Sequence, residues 1–325
     1  MSGKSDKGIG WIGMGRMGYP MAERLLKAGH KLSIYNRTKA KAQPLAAYGA
    51  MIVDHPAELA GCDIVFAMLA TSDDFKAVLA GEHGLLAAKG RAPRIVVDCS
   101  SISSESSAEI RAILTKAGTA FVAASVSGNG KCVKAGKLSS VCSGPKAAFN
   151  EISGLLGAIA ASGVSYVGEG ELSRTVKICH NVLLGVLAQT LSEITILAQK
   201  AGVPRHAFLD FMNKSVLGST FSRYKTPALV NLDFTTTFTP VLLRKDLDLG
   251  LSAARTHGVP MPVTAAAREV LQAHIGRASL IGQDYLDKDF ATLLEHQALL
   301  SGIKLAPENV AVSDGLQPET KDKAA

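Results

Sequence analysis

The sequence predicts an α/β protein: an N-terminal Rossmann-type domain built on a doubly wound, mostly parallel sheet, a long interdomain helix, and a C-terminal all-helical domain. Three observations predict it. A glycine turn, Gly13-x-Gly15-x-x-Gly18, follows a strand-like apolar run and opens a helix-like one. From there to about residue 168, short β-branched runs alternate with amphipathic segments, the pattern of strands joined by helical crossovers. Beyond that point only helical periodicity remains.

The elements follow in order. KGIGWIGMG reads as a strand running into the glycine turn, and YPMAERLLKAG as a helix ended by Gly29. KLSIYNR, AMIVD, CDIVFAML, RIVVDCS and TAFVAAS supply further strands, and KLSSVCSG and VSYVG follow a glycine-rich loop. The next helix begins near Glu169 and continues to about Ala201, roughly 45–50 Å at 1.5 Å per residue. HAFLDFMNKSV, VLLRKDLDLGLSAARTHG, TAAAREVLQAHIGRA and ATLLEHQALLSG carry helical periodicity. Three regions result: 1–168, dinucleotide binding; 169–306, a helical substrate and dimerisation domain; and 307–325, a polar tail with no periodic face, expected to be disordered.

Composition narrows the function. With 325 residues, 47% of them hydrophobic, the chain has enough apolar material for two cores. Charges or glycine interrupt the apolar runs short of the ~20 residues a membrane span needs, and MSGKSDKG lacks the apolar stretch of a secretory signal. Five cysteines form no CxxC pair and no metal-ligand spacing, so reduced thiols in the cytoplasm are expected and no metal site is. The net charge of +7 is scattered, with no basic stripe interleaved with aromatics; it suits attraction of small anions rather than nucleic acid.

The glycine turn, Gly13, Met14, Gly15, Arg16, Met17 and Gly18, is the candidate pyrophosphate cradle, because glycines let backbone N–H groups at a helix start approach the phosphates. At the end of the next strand, an acidic residue would bond the ribose diol of NAD. Asn36-Arg37-Thr38 stands there instead, offering a guanidinium and a hydroxyl to a 2′-phosphate. NADP(H) is therefore the preferred cofactor and NAD(H) the alternative; a solvated turn with an incidental arginine is the competing reading.

RTVKICHN places Lys177 and Asn181 four residues apart on one face of the long helix. Either Lys177 snorkels to solvent or pairs with Glu169 or Glu171, or it works as an acid–base group. A lysine desolvated beside a cationic nicotinamide exchanges its proton near neutrality, and an amide one turn away can orient a carboxylate or hydroxyl. The first turns of this helix are expected at the interdomain cleft, and His180 on a neighbouring side is read as a residue that packs or supports the site from behind rather than as the proton carrier. Ser127, Gly128 and Asn129, after a strand, offer N–H groups and a hydroxyl to a substrate carboxylate, or else form a flexible loop. No Gly-x-Ser-x-Gly elbow follows a strand, so a serine hydrolase is not indicated.

GMGRMGYPMAERLLKAGH, MLATSDD, VDCSSI, SVSG, KICHN and FTPVLLRKDLDL occur in the order seen in the 3-hydroxyisobutyrate dehydrogenase, or β-hydroxyacid dehydrogenase, family, and the chain resembles that family over all but its tail. The resemblance implies hydride transfer between nicotinamide and a small, carboxylate-bearing β-hydroxy acid or its semialdehyde. Lys177 matches the catalytic lysine, which exchanges the hydroxyl proton, and Asn181 the second asparagine of its motif. Ser127 and Gly128 match the pair that holds the substrate carboxylate, and Ser100 the hydroxyl residue near nicotinamide and substrate. Lys245, with Phe238 nearby, matches a lysine on the cofactor side of the cleft, and Met68-Leu69-Ala70 a loop along the cofactor ribose. A homodimer is implied, with a homotetramer as the alternative. Three departures bear on the substrate: the family's loop proline is missing, which frees the loop, Asn129 adds an amide, and His180 replaces an asparagine. The competing functions are an imine reductase-like enzyme and a non-catalytic, NADP-binding structural or chromatin-associated protein.

Overall fold

In the computed structural model, which describes residues 8–87 and 91–317, the N-terminal segment builds a sheet around its own first strand. Strand β1 (Ile9–Ile12) is buried along its length, and the glycine turn leads into α1 (Gly18–Lys27). That helix buries Met21, Ala22, Leu25 and Leu26, a stripe at helical spacing. Then come β2 (Leu32–Tyr35), β3 (Met51–Ile52), β4 (Ile64–Ala67), α2 (Ser72–Ala80), β5 (Ile95–Asp98), α3 (Ser104–Lys116) and β6 (Ala120–Ser127). The segment closes with α4 (Gly130–Lys134), β7 (Ser139–Ser143), α5 (Lys146–Ile159) and β8 (Gly163–Tyr166).

The eight strands form one sheet in the order β3-β2-β1-β4-β5-β6-β7-β8. The first six are mutually parallel, β7 runs antiparallel to β6, and β8 pairs parallel with β7. The central strands IGWI, IVFA and IVVD are buried throughout, as strands covered by apolar clusters on both faces must be. Strand order reverses between β1 and β4, which places the ligand crevice at their carboxyl ends. One expectation is corrected: the segment after Ser127 is not a loose glycine loop. Asn129 caps α4 by accepting from the Cys132 amide at 3.1 Å, so its amide oxygen restrains the segment that the missing proline leaves unconstrained.

The long helix, α6 (Leu172–Lys200), begins three residues later than expected, and the chain divides within it into units Met1–Lys177 and Ile178–Ala325. Contrary to the expectation of interrupted apolar runs, α6 is long and apolar enough to cross a bilayer by length and composition. Its buried Ser173, Arg174, Gln189, Ser192 and Thr195 are those of a helix packed in protein.

The second unit contains α7 (Arg205–Lys214), α8 (Thr220–Asn231), α9 (Pro240–Thr256), α10 (Pro262–Ile281), α11 (Gln283–Leu286) and α12 (Leu293–Leu300). Thr239 caps α9, and Pro240 occupies the first helical position, where its missing N–H costs nothing. The segment expected to be a disordered tail from residue 307 is ordered as far as 317. Ile303, Leu305, Val310 and Val312 pack on a cluster that includes Leu209, Leu229 and Leu294, and Ala306 accepts from Arg205 at 2.6 Å. An extended strap needs no helical period to bury apolar side chains, so periodicity could not reveal it. Residues 318–325 lie outside the described residues.

Candidate cofactor and catalytic site

The first unit holds a cavity of about 550 Å³ at the carboxyl ends of β1, β2 and β4. Its floor is the glycine turn, where the three glycines do different work. Gly13 has φ +97°, and a Cβ there would stand 2.3 Å from the Met68 carbonyl oxygen. A Cβ on Gly18 would stand 2.0 Å from the Gly13 carbonyl oxygen, which also accepts from Trp11 Nε1 at 3.0 Å. A Cβ on Gly15 would meet nothing within 4 Å. Two glycines are thus required by the fold, while the third leaves open space on the ligand side. Helix α1 has no side-chain cap at Met17 and no acidic residue in its first turn, so its leading N–H groups suit an anion.

Asn36 ties the second strand to this floor. Its Oδ1 accepts from the Met14 amide at 2.8 Å, and its Nδ2 donates to the Thr38 carbonyl at 2.8 Å. The Asn36 side chain therefore shapes the turn. Arg37 is 85% exposed and pairs with Asp74 at 3.1 Å, so its guanidinium stands at the solvent edge of the cavity with Thr38 and Lys41. His55 and His83, whose rings are 4.4 Å apart, line the same edge; nothing in the local sequence pattern singled them out.

Of the expected cofactor residues, Gly13, Met14, Gly15, Asn36, Arg37, Thr38, Met68, Leu69 and Ala70 line this cavity together. Arg16, Met17 and Gly18 continue the turn into α1 without lining it. Phe238 and Lys245 lie in the second unit: the Phe238 ring meets Phe290 edge-on at 6.3 Å, and Lys245 is half exposed, 3.7 Å from Asp246. Ser100 is the hydroxyl residue expected near nicotinamide and substrate. Ser100 is fully buried, and its Oγ accepts from the Leu69 amide at 2.8 Å, so it braces the 68–70 loop from behind. Ser127 ends β6 opposite Ser139, and Gly128 has φ +125° with Cys132 and Leu138 packed where a side chain would be.

Lys177 closes the first unit, and the turn before it is the most heavily bonded part of the site. Arg174, 2% exposed, makes an ion pair with the fully buried Asp98. It also donates to the Ser100 carbonyl, to Ser107 Oγ at 3.2 Å and to Ser125 Oγ at 3.4 Å. Asp98 in turn accepts from the Ser100 amide at 2.8 Å. The sequence reading missed this pair; the available signals were an aspartate ending the apolar strand IVVD and an arginine opening an apolar helix. In the second unit, Asn181 Nδ2 donates to Asp246 Oδ2 at 2.7 Å, and His180 Nδ1 lies 3.0 Å from Asn181 Oδ1. The amide thus orients one of the protein's own carboxylates, Asp246, which was also missed. Among the described residues no group of three or more His, Cys, Asp or Glu could hold a metal.

A glycine floor with one open position and an uncapped helix start, at the carboxyl ends of a parallel sheet, fit a dinucleotide. Residues 8–168 match the NAD binding domain of 6-phosphogluconate dehydrogenase, and residues 170–294 match the family described as NAD-binding of NADP-dependent 3-hydroxyisobutyrate dehydrogenase. The chain is 30% identical over 292 residues to glyoxylate/succinic semialdehyde reductase 2 of Arabidopsis thaliana, covering 88% of this chain and 78% of that protein. It is 30% identical over 300 residues to 2-(hydroxymethyl)glutarate dehydrogenase of Eubacterium barkeri, covering 92% and 97%. The structure of 3-hydroxyisobutyrate dehydrogenase from Salmonella typhimurium superposes with a TM-score of 0.75 at 27% identity, covering 88% of this chain and 98% of that one. The chain belongs to the 3-hydroxyisobutyrate dehydrogenase, or β-hydroxyacid dehydrogenase, family, and it is an NAD(P)-dependent oxidoreductase acting on CH–OH groups.

Proposed function

We propose that the protein uses NADP(H) to interconvert a small β-hydroxy acid and its semialdehyde or a related short carboxylated aldehyde, with Lys177 as the proton carrier. The observation that carries this reading is the anchored turn: a lysine that follows a buried, fourfold-bonded arginine by three residues has a fixed starting point for its side chain. The bound nicotinamide supplies or accepts the hydride. Lys177 gives its proton to the carbonyl oxygen as reduction proceeds, and takes it from the hydroxyl in the reverse direction. Backbone N–H groups at Gly128 and Asn129 and the Ser127 hydroxyl are assigned to the substrate carboxylate. The names of the two relatives, a glyoxylate/succinic semialdehyde reductase and a 2-(hydroxymethyl)glutarate dehydrogenase, both point to small carboxylated compounds.

NADP(H) is favoured by the absence of a carboxylate at the end of β2, where Asn36 turns its amide to the backbone and leaves Arg37, Thr38 and Lys41 at the cavity edge. Exposed Leu183, Leu187, Leu197, Leu280, Ile281 and Leu300 on the helices of the second unit favour a homodimer, and five free cysteines favour a reducing, cytoplasmic setting. Sedimentation as a monomer would refute the dimer.

The test of the reaction is nicotinamide absorbance in both directions, with NADPH and NADH on glyoxylate and succinic semialdehyde and with NADP+ and NAD+ on short 3-hydroxy acids, for wild type and Lys177→Ala. Turnover with NADPH that falls by about 10² or more in the variant, with cofactor binding retained, is expected. Turnover that survives Lys177→Ala sinks the assignment of the proton carrier.

A further inference from the structure

Four hydrogen-bonding groups connect the cofactor cavity to the turn that carries Lys177, and none of them was expected to act this way. The Leu69 amide donates to Ser100 Oγ at 2.8 Å, and the Ser100 amide donates to Asp98 Oδ1 at 2.8 Å. The other Asp98 oxygen takes the Arg174 guanidinium, which also reaches back to the Ser100 carbonyl. Ser100 and Asp98 are fully buried and Arg174 nearly so. In such surroundings an ion pair or hydrogen bond resists breaking, because a lost partner leaves a desolvated charge or dipole behind. The carboxylate of Asp98 has each oxygen committed to a different neighbour, so it cannot turn without releasing either Ser100 or Arg174.

We infer that Arg174 is a positioning residue for Lys177, and that Asp98 and Ser100 join it to the 68–70 loop so that filling the cofactor cavity and fixing the lysine-bearing turn are one event. The proton-carrier role of Lys177 belongs to the proposed function, on which this inference rests; the bonded path itself does not depend on it. A ligand that presses on the 68–70 loop stabilises the Leu69 to Ser100 bond. Ser100 then holds Asp98 in the rotamer that receives Arg174, and the first turn of α6 loses freedom. The enzyme readies its acid–base group when the cavity is occupied.

The test uses 2′,5′-ADP, which carries no nicotinamide, and reads amide hydrogen exchange peptide by peptide. In the wild-type protein the ligand is expected to slow exchange in residues 13–18, which cradle it, and also in residues 172–180, by about fivefold or more. Ser100→Ala removes the bond to Leu69 and leaves the Ser100 amide on Asp98; protection of 13–18 should persist while protection of 172–180 vanishes. Arg174→Lys keeps a positive charge for Asp98 but has no planar fork to reach Ser100 and the serines as well, and it should also lose the distant protection. Arg174→Ala is avoided, because it strands Asp98 in the core. A second readout is the rate at which an amine-reactive ester labels Lys177 across a pH series, with Lys200 as the internal control. Arg174→Lys should shift the Lys177 profile and leave Lys200 unchanged, a change that a merely structural role would not produce. Protection of 172–180 that survives both substitutions, or a Lys177 profile that does not move, overturns the inference. Neither readout requires turnover, so they decide the coupling whatever Lys177→Ala shows about the reaction.

Discussion

Gly15→Ala and Gly18→Ala differ by three positions in the same turn and should have opposite consequences. Gly15 does not have a positive φ, and a methyl there meets nothing within 4 Å, so alanine fits the folded chain. Replacing glycine at such a site narrows the unfolded ensemble and stabilises by about 0.4–1 kcal/mol. For a unit of this size that leaves the melting temperature unchanged or raises it by about 1–4 °C. The same methyl stands where the pyrophosphate must approach the backbone. An intruding methyl in a close-packed contact costs about 1–3 kcal/mol, so NADPH should bind about 5- to 150-fold more weakly. Gly18→Ala reverses the pattern. Its Cβ would lie 2.0 Å from the Gly13 carbonyl oxygen, a clash that moves either the turn or α1. The cost falls on folding, again about 1–3 kcal/mol, or roughly 2–12 °C in melting temperature. Scanning calorimetry of the cofactor-free protein and fluorescence titration with NADPH separate the two effects. If Gly15→Ala binds NADPH as tightly as wild type, the pyrophosphate does not lie on this turn. If it melts well below wild type, a methyl at position 15 does collide with the folded chain.

Two further predictions follow from single side chains. Arg37→Ala should weaken NADPH binding by about 10- to 100-fold while leaving NADH within about twofold, because a charge-assisted bond to the 2′-phosphate would be lost; parallel titrations with the two cofactors check it, and equal losses would remove Arg37 from phosphate recognition. Burial, then neighbouring His296 and Arg277, pushes His274 down to about 4, so it stays neutral in the fold while the unfolded imidazole takes a proton near the usual 6.5. The unfolded state then binds more protons as pH falls, so stability is full above about pH 6.5 and declines toward pH 4 by about 3 kcal/mol. Urea unfolding at a series of pH values reads this loss, which should shrink after His274→Leu; an unchanged profile would refute the assignment.

The sheet, the glycine turn and the succession of helices were legible because they depend on local spacing: continuous apolar runs for doubly covered strands, and 3.6-residue periods for helices. The site was legible where one stretch of chain makes it. Residues 13–15, residues 36–38 and residues 68–70 do meet around one cavity. It was illegible where distant residues combine. Asp98 and Arg174 are 76 positions apart, and each taken alone looks like an ordinary polar residue at the end of an apolar segment. Ser100 was picked for its hydroxyl, but burial is a tertiary property, and the fold turns that hydroxyl toward the Leu69 amide. Asn36 stands where a ribose-binding carboxylate would, and only the fold shows that its side chain holds Met14 and Thr38 in place. His55 and His83 come from two separate loops, so only the folded chain shows that their rings meet.

The strap that follows α12 changes how the carboxyl end of the chain should be handled. Arg205, 1% exposed, donates to the carbonyls of Leu229, Val230 and Ala306, while Glu308 receives the Arg205 and His206 amides. The strap therefore acts as a seal over a buried cation. Trimming the chain back to the last helix would unplug that guanidinium and lay open the apolar groove filled by Val310 and Val312. An affinity tag or fluorophore belongs beyond residue 317, where it leaves the seal intact, and an insertion between 303 and 316 acts on the helical core as surely as a substitution inside it.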